Sequence, residues 1–191
     1  MKERVAKVIS IVTLVPIMAA LAVTWILLKD RAHFDNSMLW YFLVLIFLTV
    51  LPISAYPIAR AIPKIRARGR DGERNLAFIM AVIGYVAGAI ISIVFHAPKG
   101  VMYIMLSYLA SGLALFFVNK VVKVKASGHA CGVSGPITLL LYMVGHYAWI
   151  AVVLLPLVFW GRLALKRHTY SELIVGTIVG IAATGFVVLS I

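Results

Sequence analysis

The stretch ACGVSGPITLLLYMVGHYAWIAVVLLPLVFWG, residues 130–161, decides how the chain is folded. It contains no Asp, Glu, Lys or Arg. A single straight helix of this length would measure about 48 Å, whereas the hydrocarbon core of a bilayer is about 30 Å thick. Gly145 and His146 interrupt the stretch near its middle. We therefore predict two short helices of about 16 residues each, with a kink in the second one at Pro156.

The composition of the whole chain indicates a membrane protein. Its 191 residues are 63% hydrophobic and 13% charged, and the mean hydropathy is +1.06. A soluble domain of this size needs a more highly charged surface. The sequence thus predicts one all-α, polytopic transmembrane helical bundle of about six to seven spans, forming a single domain over residues 1–191. We interpret the net charge of +12 as a determinant of membrane topology and of contacts with anionic lipid headgroups, and not as a sign of nucleic-acid binding.

Apolar runs outside the central stretch are long enough to form further spans. The first run follows three basic residues, and its length favours a retained helix over a signal peptide. We predict five spans in addition to the two short helices: residues 8–28, 38–58, 76–95, 101–118 and 173–191.

Three polar stretches separate these spans and hold the candidate chemistry: residues 60–75, 125–129 and 162–172. With seven spans, two spans separate each polar stretch from the next, so all three fall on the same membrane face. If residues 130–161 formed a single span, the two histidine-containing stretches would face opposite sides. Three further histidines fall on the other face and are interpreted as interfacial: His33, His96 and His146.

If the three polar stretches converge, their side chains suit phosphoryl transfer. Fixed cations stabilise the negative charge of a transferred phosphoryl group, and free amides at a helix start such as Gly128 favour an anion. One histidine can attack phosphorus while the other protonates the leaving oxygen. Glu172 follows His168 by four residues, so a helix would let the carboxylate orient the ring. Two other interpretations remain open: Thr169 and Glu172 form a capping box, and residues 60–75 serve only to orient the chain in the membrane.

The second and third stretches resemble the type 2 phosphatidic acid phosphatase (PAP2) superfamily, which includes the vanadium haloperoxidases. Its motifs are commonly written K-x6-R-P, P-S-G-H and S-R-x5-H-x3-D. Residues 127–129 match most of the second motif. Arg162, His168 and Glu172 match the spacing of the third, with Gly161 in place of Ser and Glu in place of Asp.

The first motif departs from the family pattern. Asp71 stands seven residues after Lys64, and Arg74 is followed by Asn75. This arrangement is similar to a longer, Asp- and Arg-rich version in a divergent membrane branch, which also carries a Lys-Arg-His-Thr run like residues 166–169. The resemblance covers roughly residues 60–190 and leaves out the first span.

The resemblance implies a role for each matched residue. His168 would be the nucleophile that forms a phospho-histidine, Glu172 would orient it, and His129 would be the general acid. No metal ion or other cofactor is implied. The implied phosphate-binding residues are Arg162, Arg74, Ser127, Gly128, Lys64 and Arg70.

These observations lead us to expect a membrane phosphatase that hydrolyses a phosphomonoester or diphosphate of a lipid or isoprenoid. The alternative from another class is a transporter or flippase with a basic anion-binding pocket, and a third is an inactive scaffold on the same fold. Membrane lipids are the expected surroundings. The distribution of Lys and Arg places the N-terminus and the active site in the cytoplasm, whereas the family resemblance implies an extracytoplasmic or lumenal site.

Overall fold

The computed structural model of the chain describes residues 2–191, of which 86% are helical and none lies in a β-strand. It contains eight main helices: α1 (Lys2–Val12), α2 (Val15–Lys29), α3 (Met38–Ala61), α4 (Gly69–Val94), α5 (Lys99–Lys120), α6 (Gly128–Met143), α7 (Gly145–Ala164) and α8 (Tyr170–Ser190). Two single turns, Arg31–Phe34 and Pro63–Arg66, lie between them. Helix α3 widens to π-type geometry over Ile46–Val50, and α7 begins as a 3-10 helix over Gly145–Val153.

Five of these helices, α3, α4, α5, α7 and α8, are long and apolar enough to cross a membrane. Helices α1 and α2 meet the same criterion only when taken together, which gives up to six spans. Many apolar side chains lie on the outer surface, as a lipid-facing bundle requires. The predicted all-α polytopic bundle is therefore confirmed.

The predicted break in the central apolar stretch is also confirmed. Helix α6 ends at Met143, and Gly145 begins the next helix with a φ of +81°, a conformation that glycine adopts readily. The predicted kink at Pro156 stays a prediction. The helix changes from 3-10 to α geometry at Leu154, two residues before Pro156.

The first predicted span is not one helix. Helices α1 and α2 meet at an angle of 58°. Leu14 is extended at this junction, and Pro16 follows as the second residue of α2. A proline ring clashes with the carbonyl four residues earlier, here that of Val12, so the helix cannot continue through this point.

The basic stretch at residues 60–75 is more helical than its glycines suggest. Glycine is unfavourable inside a helix, yet α4 already begins at Gly69. Gly69 has a φ of +54°, which turns the chain into the helix. Arg70 and Arg74 consequently lie four residues apart in the first two turns of α4, where their side chains share one face.

Helix α6 runs along the centre of the bundle, and most of its residues are buried. Its N-terminus lies beside α8, because the N–H of Ser127 donates to the carbonyl of Glu172 at 2.8 Å. Its C-terminus lies at the other end, where the carbonyl of Met143 is 3.3 Å from Nε2 of His33. The three polar stretches thus share one end of the bundle, which we call the basic end, and the loop containing His33 lies at the opposite end.

Candidate functional site

A cavity of about 850 Å³ opens at the basic end and extends into the bundle. One carboxylate, that of Glu73, is among its described lining residues, and it is paired with Arg60 at 3.2 Å. The cavity therefore carries a large excess of positive charge at this end. Its cationic lining residues are Arg70, Arg74, Lys125, Arg162, Lys166 and Arg167.

His168 and Glu172 form a close pair at the mouth of the cavity. Nδ1 of His168 lies 2.6 Å from Oε2 of Glu172, while Oε1 of Glu172 lies 2.9 Å from Nζ of Lys125. The carboxylate fixes the proton of the ring on Nδ1, so Nε2 carries the free electron pair. Burial lowers the pKa of His168 below 6.5, although the hydrogen bond to Glu172 acts in the opposite direction. The neutral, nucleophilic form of this histidine is consequently favoured at neutral pH.

Glu172 has a second role in the structure. The side chain of Thr169 accepts from the Glu172 N–H, and the N–H of Thr169 donates to Oε2 of Glu172, both at 3.4 Å. These contacts form a capping box at the start of α8. The two interpretations that the sequence left open for Glu172, capping and orientation of His168, are thus compatible in one geometry.

Helix α6 presents His129 to the cavity from its first turn. The ring lies near Arg162, His168 and Arg74, and its Nε2 has no hydrogen-bond partner among residues 2–191. Buried polar atoms are normally hydrogen-bonded, so this unpartnered ring nitrogen beside the His168 pair is unusual.

Arg162 is the most unusual charged group of the site. It lies in the last turn of α7 with 7% of its surface exposed, and it forms no salt bridge to any carboxylate of residues 2–191. The charged side chains that act on it most are themselves arginines, among them Arg167, Arg70 and Arg74. Its Nη1 donates to Oγ of Ser10 at 2.7 Å, and its Nε has no partner in the described chain.

Most of the predicted site residues come together in the structure. Those that line the cavity or its mouth are His168, His129, Glu172, Arg162, Arg74, Gly128 and Arg70. Lys64 is not among the lining residues and lies exposed on the turn Pro63–Arg66. Helix α4 begins after this turn, and its residues Arg70 and Arg74 are the ones that line the cavity. The cavity lining therefore gives no support to the predicted phosphate contact of Lys64.

Ser127 also differs from its predicted role. Its side chain is fully buried and accepts from the N–H of Ala130 at 3.4 Å, so the hydroxyl serves as the N-cap of α6. The chain thereby keeps Gly128 and His129 at the cavity wall while the Ser127 hydroxyl is turned away from it.

Two groups of the site were not assigned from the sequence. Lys125, which binds the second oxygen of Glu172, stands two residues before Ser127, and this proximity is the signal that could have identified it. Ser10 lies on α1, outside every motif, and nothing in its local sequence indicates a contact with Arg162.

Beyond its cationic end the cavity is mainly apolar and open to the outer surface. Ile11 on α1 and both Phe78 and Val82 on α4 line it, and they are exposed by 58, 55 and 41% respectively. Exposed apolar side chains of α1 and α4 thus line the part of the cavity beyond its cationic end.

Among residues 2–191, no three or more His, Cys, Asp and Glu side chains are grouped closely enough to hold a metal ion. The site as described consists of cationic side chains, two imidazoles, the carboxylate of Glu172 and helix-start amides.

Comparisons with known proteins add no assignment. No protein-family model matches the chain, and neither curated proteins nor solved structures gave a significant match. The resemblance to the PAP2 superfamily stays a prediction from the motifs.

Proposed function

We propose that this protein is a membrane phosphatase that hydrolyses a phosphomonoester or diphosphate of a lipid or isoprenoid through a phospho-histidine intermediate. The observation that carries the proposal is the buried guanidinium of Arg162, surrounded by further arginines and lacking a carboxylate partner in the described chain. A buried charge without a counter-ion is costly, so this position is suited to an anionic ligand. The fork of Arg162 matches two oxygens of a phosphate group.

The His168–Glu172 pair supports chemistry at this anion site and not binding alone. Neutral His168 attacks phosphorus with Nε2, the bond from phosphorus to the lipid oxygen breaks, and His129 donates a proton to that oxygen. The bound phosphate favours the protonated form of His129 that this step requires. Water then attacks the phospho-histidine, His129 removes its proton, and inorganic phosphate leaves as the phosphorus–nitrogen bond breaks.

The shape of the cavity supports a lipid substrate. The phosphate would lie at the cationic end, while a chain would follow the apolar wall formed in part by Phe78 and Ile11. Interfacial substrates have this division of polar and apolar parts.

Two histidine substitutions test the proposed chemistry. We expect His168→Ala and His129→Ala each to reduce phosphate release from lipid phosphates in detergent by about 10⁴-fold or more, with the helical circular dichroism signal retained. His146 is exposed and lies at the end of the bundle opposite the basic end, so His146→Ala is the matched control and should keep wild-type turnover. Near-normal turnover in either of the first two variants would exclude the mechanism.

Inhibitor behaviour provides a second readout in the same assay. Activity should persist in EDTA, because cationic side chains and not a carboxylate cage face the phosphate. Vanadate, which forms a trigonal-bipyramidal species at phosphate sites, should inhibit. A strict requirement for Mg²⁺ would count against the phosphatase family.

The transporter alternative is favoured by a different feature, the hydroxyl groups of Ser107, Tyr108 and Thr184 along the deeper cavity wall. The oxygens of Ser107 and Tyr108 have no partner among residues 2–191. The cationic lining, however, lies at one end of the cavity, and an anion pathway across the bundle needs charge along its length. Uptake of labelled phosphate into proteoliposomes without hydrolysis would establish this alternative.

A further inference from the structure

Ser10 connects the N-terminal helix to the proposed phosphate site. Because the chain bends by 58° between α1 and α2, α1 folds against α7, and Oγ of Ser10 lies 2.7 Å from Nη1 of Arg162. The two residues are 152 positions apart in the chain. This contact brings a helix outside the motif region into the site.

The residue before Arg162 permits this close approach. A side chain at Gly161 would begin 3.2 Å from Cγ2 of Ile9, so the absence of one lets α1 pack tightly here.

The hydrogen bond leaves the Ser10 proton available. A hydroxyl can donate one hydrogen bond and accept two, and Ser10 uses one acceptor position on Arg162. It donates to no group of residues 2–191, and it lines the cavity. The positive charge of Arg162 polarises the O–H bond, which strengthens donation to an anionic oxygen.

We propose that Ser10 is a phosphate-binding residue: it holds one arm of the Arg162 fork and donates its own proton to an oxygen of the bound phosphate. This inference rests on the proposed function of the site and adds α1 to it. The ligand class is a phosphate monoanion or dianion, either as a lipid phosphate or as free phosphate.

Three variants separate a phosphate contact from a packing effect. Ser10→Ala removes the hydroxyl, Ser10→Thr keeps it, and Thr13→Ala removes a buried hydroxyl near the end of α1 that bonds only to the carbonyl of Ile9. Orthovanadate and inorganic phosphate serve as probes, through inhibition of lipid-phosphate hydrolysis and through protection against thermal unfolding in detergent. We expect Ser10→Ala to weaken the binding of both probes and to raise the KM for lipid phosphate about tenfold. This is the scale for the loss of a hydrogen bond to a charged group. Ser10→Thr should restore most of this loss, and Thr13→Ala should leave the probe affinities unchanged.

The outcomes distinguish this inference from the proposed function. If the wild type hydrolyses lipid phosphate and Ser10→Ala binds vanadate equally well, the inference is wrong and the phosphatase stands. If Thr13→Ala weakens the binding of the probes as much as Ser10→Ala does, Ser10 acts through packing and the inference is again wrong. If the wild type binds phosphate without hydrolysis and Ser10→Ala weakens that binding, the inference stands without the enzyme. A wild type that neither binds nor hydrolyses overturns both.

Discussion

At the residue scale, Glu172 shows how one carboxylate can serve two purposes. Its Oε2 accepts from the Thr169 N–H and also lies 2.6 Å from the ring of His168, while Oε1 faces Lys125. The helix start therefore holds the carboxylate in place before any ligand binds. Glu172 stands where the PAP2 motif, which the sequence resembles, has the shorter Asp. The longer side chain still meets His168, since this contact is shorter than most hydrogen bonds of its type.

The pH dependence of activity should report this contact. His168 must be neutral to attack, so kcat/KM should fall as the pH drops through its pKa, which burial holds below 6.5. Because the hydrogen bond to Glu172 raises that pKa, Glu172→Gln should move the acid limb to still lower pH and reduce the rate on the order of 10²–10⁴-fold. Ionisation of the substrate is the same for both proteins and cancels in the comparison. Measured profiles of kcat/KM against pH would check this.

Thr169→Ala is the matched control for the pH experiment. It removes the capping hydroxyl but leaves the carboxylate beside His168, so its acid limb should coincide with that of the wild type. An acid limb of Glu172→Gln that stays in place or moves to higher pH would show that Glu172 does not hold the nucleophile.

At the element scale, the site depends on close packing between α6 and α8. Helix α8 contains Gly176 and Gly180, four residues apart, in the small-residue pattern that lets membrane helices approach closely. A Cβ at Gly176 would overlap the carbonyl oxygen of Ser127, and one at Gly180 would overlap Oγ of Ser134. This packing sets the position of His129 relative to His168.

Two glycine substitutions in α8 test this packing. Gly176→Ala should force α6 away, reduce stability by about 1–3 kcal/mol and lower turnover about 10- to 100-fold through misplacement of His129. Gly185→Ala is the matched control, because a Cβ at this position would meet no atom within 4 Å, and it should be neutral or slightly stabilising. Thermal unfolding in detergent and phosphate release would be measured together. Equal behaviour of the two variants would mean that the α6–α8 contact does not position the site.

At the scale of the whole molecule, positive charge is concentrated at the basic end. With α1 counted there, this end holds 15 of the 18 Lys and Arg residues of the chain. The remaining three lie towards the opposite end: Lys29, Arg31 and Lys99. We propose, on the positive-inside rule, that the basic end with the N-terminus and the active site faces the cytoplasm of a cell membrane.

Cysteine accessibility in intact cells would test this orientation. In a Cys131→Ala background, Ala67→Cys should resist a membrane-impermeant thiol reagent, and Ala32→Cys should react with it. Both alanines are exposed, one at each end of the bundle. Gly72 is unsuitable for this purpose because any Cβ there would overlap the carbonyl oxygen of Ile65. The reverse labelling pattern would place the site outside the cytoplasm and leave the proposed chemistry unaffected.

The sequence by itself determined the features that depend on local composition. Apolar runs of about 20 residues are long enough to cross a bilayer core and predict membrane helices. Gly145 marks the break that brings the two histidine-containing stretches to one end of the bundle. The sequence also placed Glu172 beside His168, but not by the helical spacing on which that prediction relied. His168 precedes Thr169, the N-cap of α8, and the two side chains meet across the helix start.

Tertiary structure decided which polar groups from distant parts of the chain meet. The bend before Pro16 folds α1 onto α7 and brings Ser10 to Arg162. Lys64 is left outside the cavity, although it lies in the same basic stretch of sequence as Arg70. The physical reason is that hydropathy and turn preferences act over a few neighbouring residues, while these contacts depend on how whole helices pack. Gly161 and Gly176 each let a second helix approach closely. A single sequence does not show which helices pack against each other.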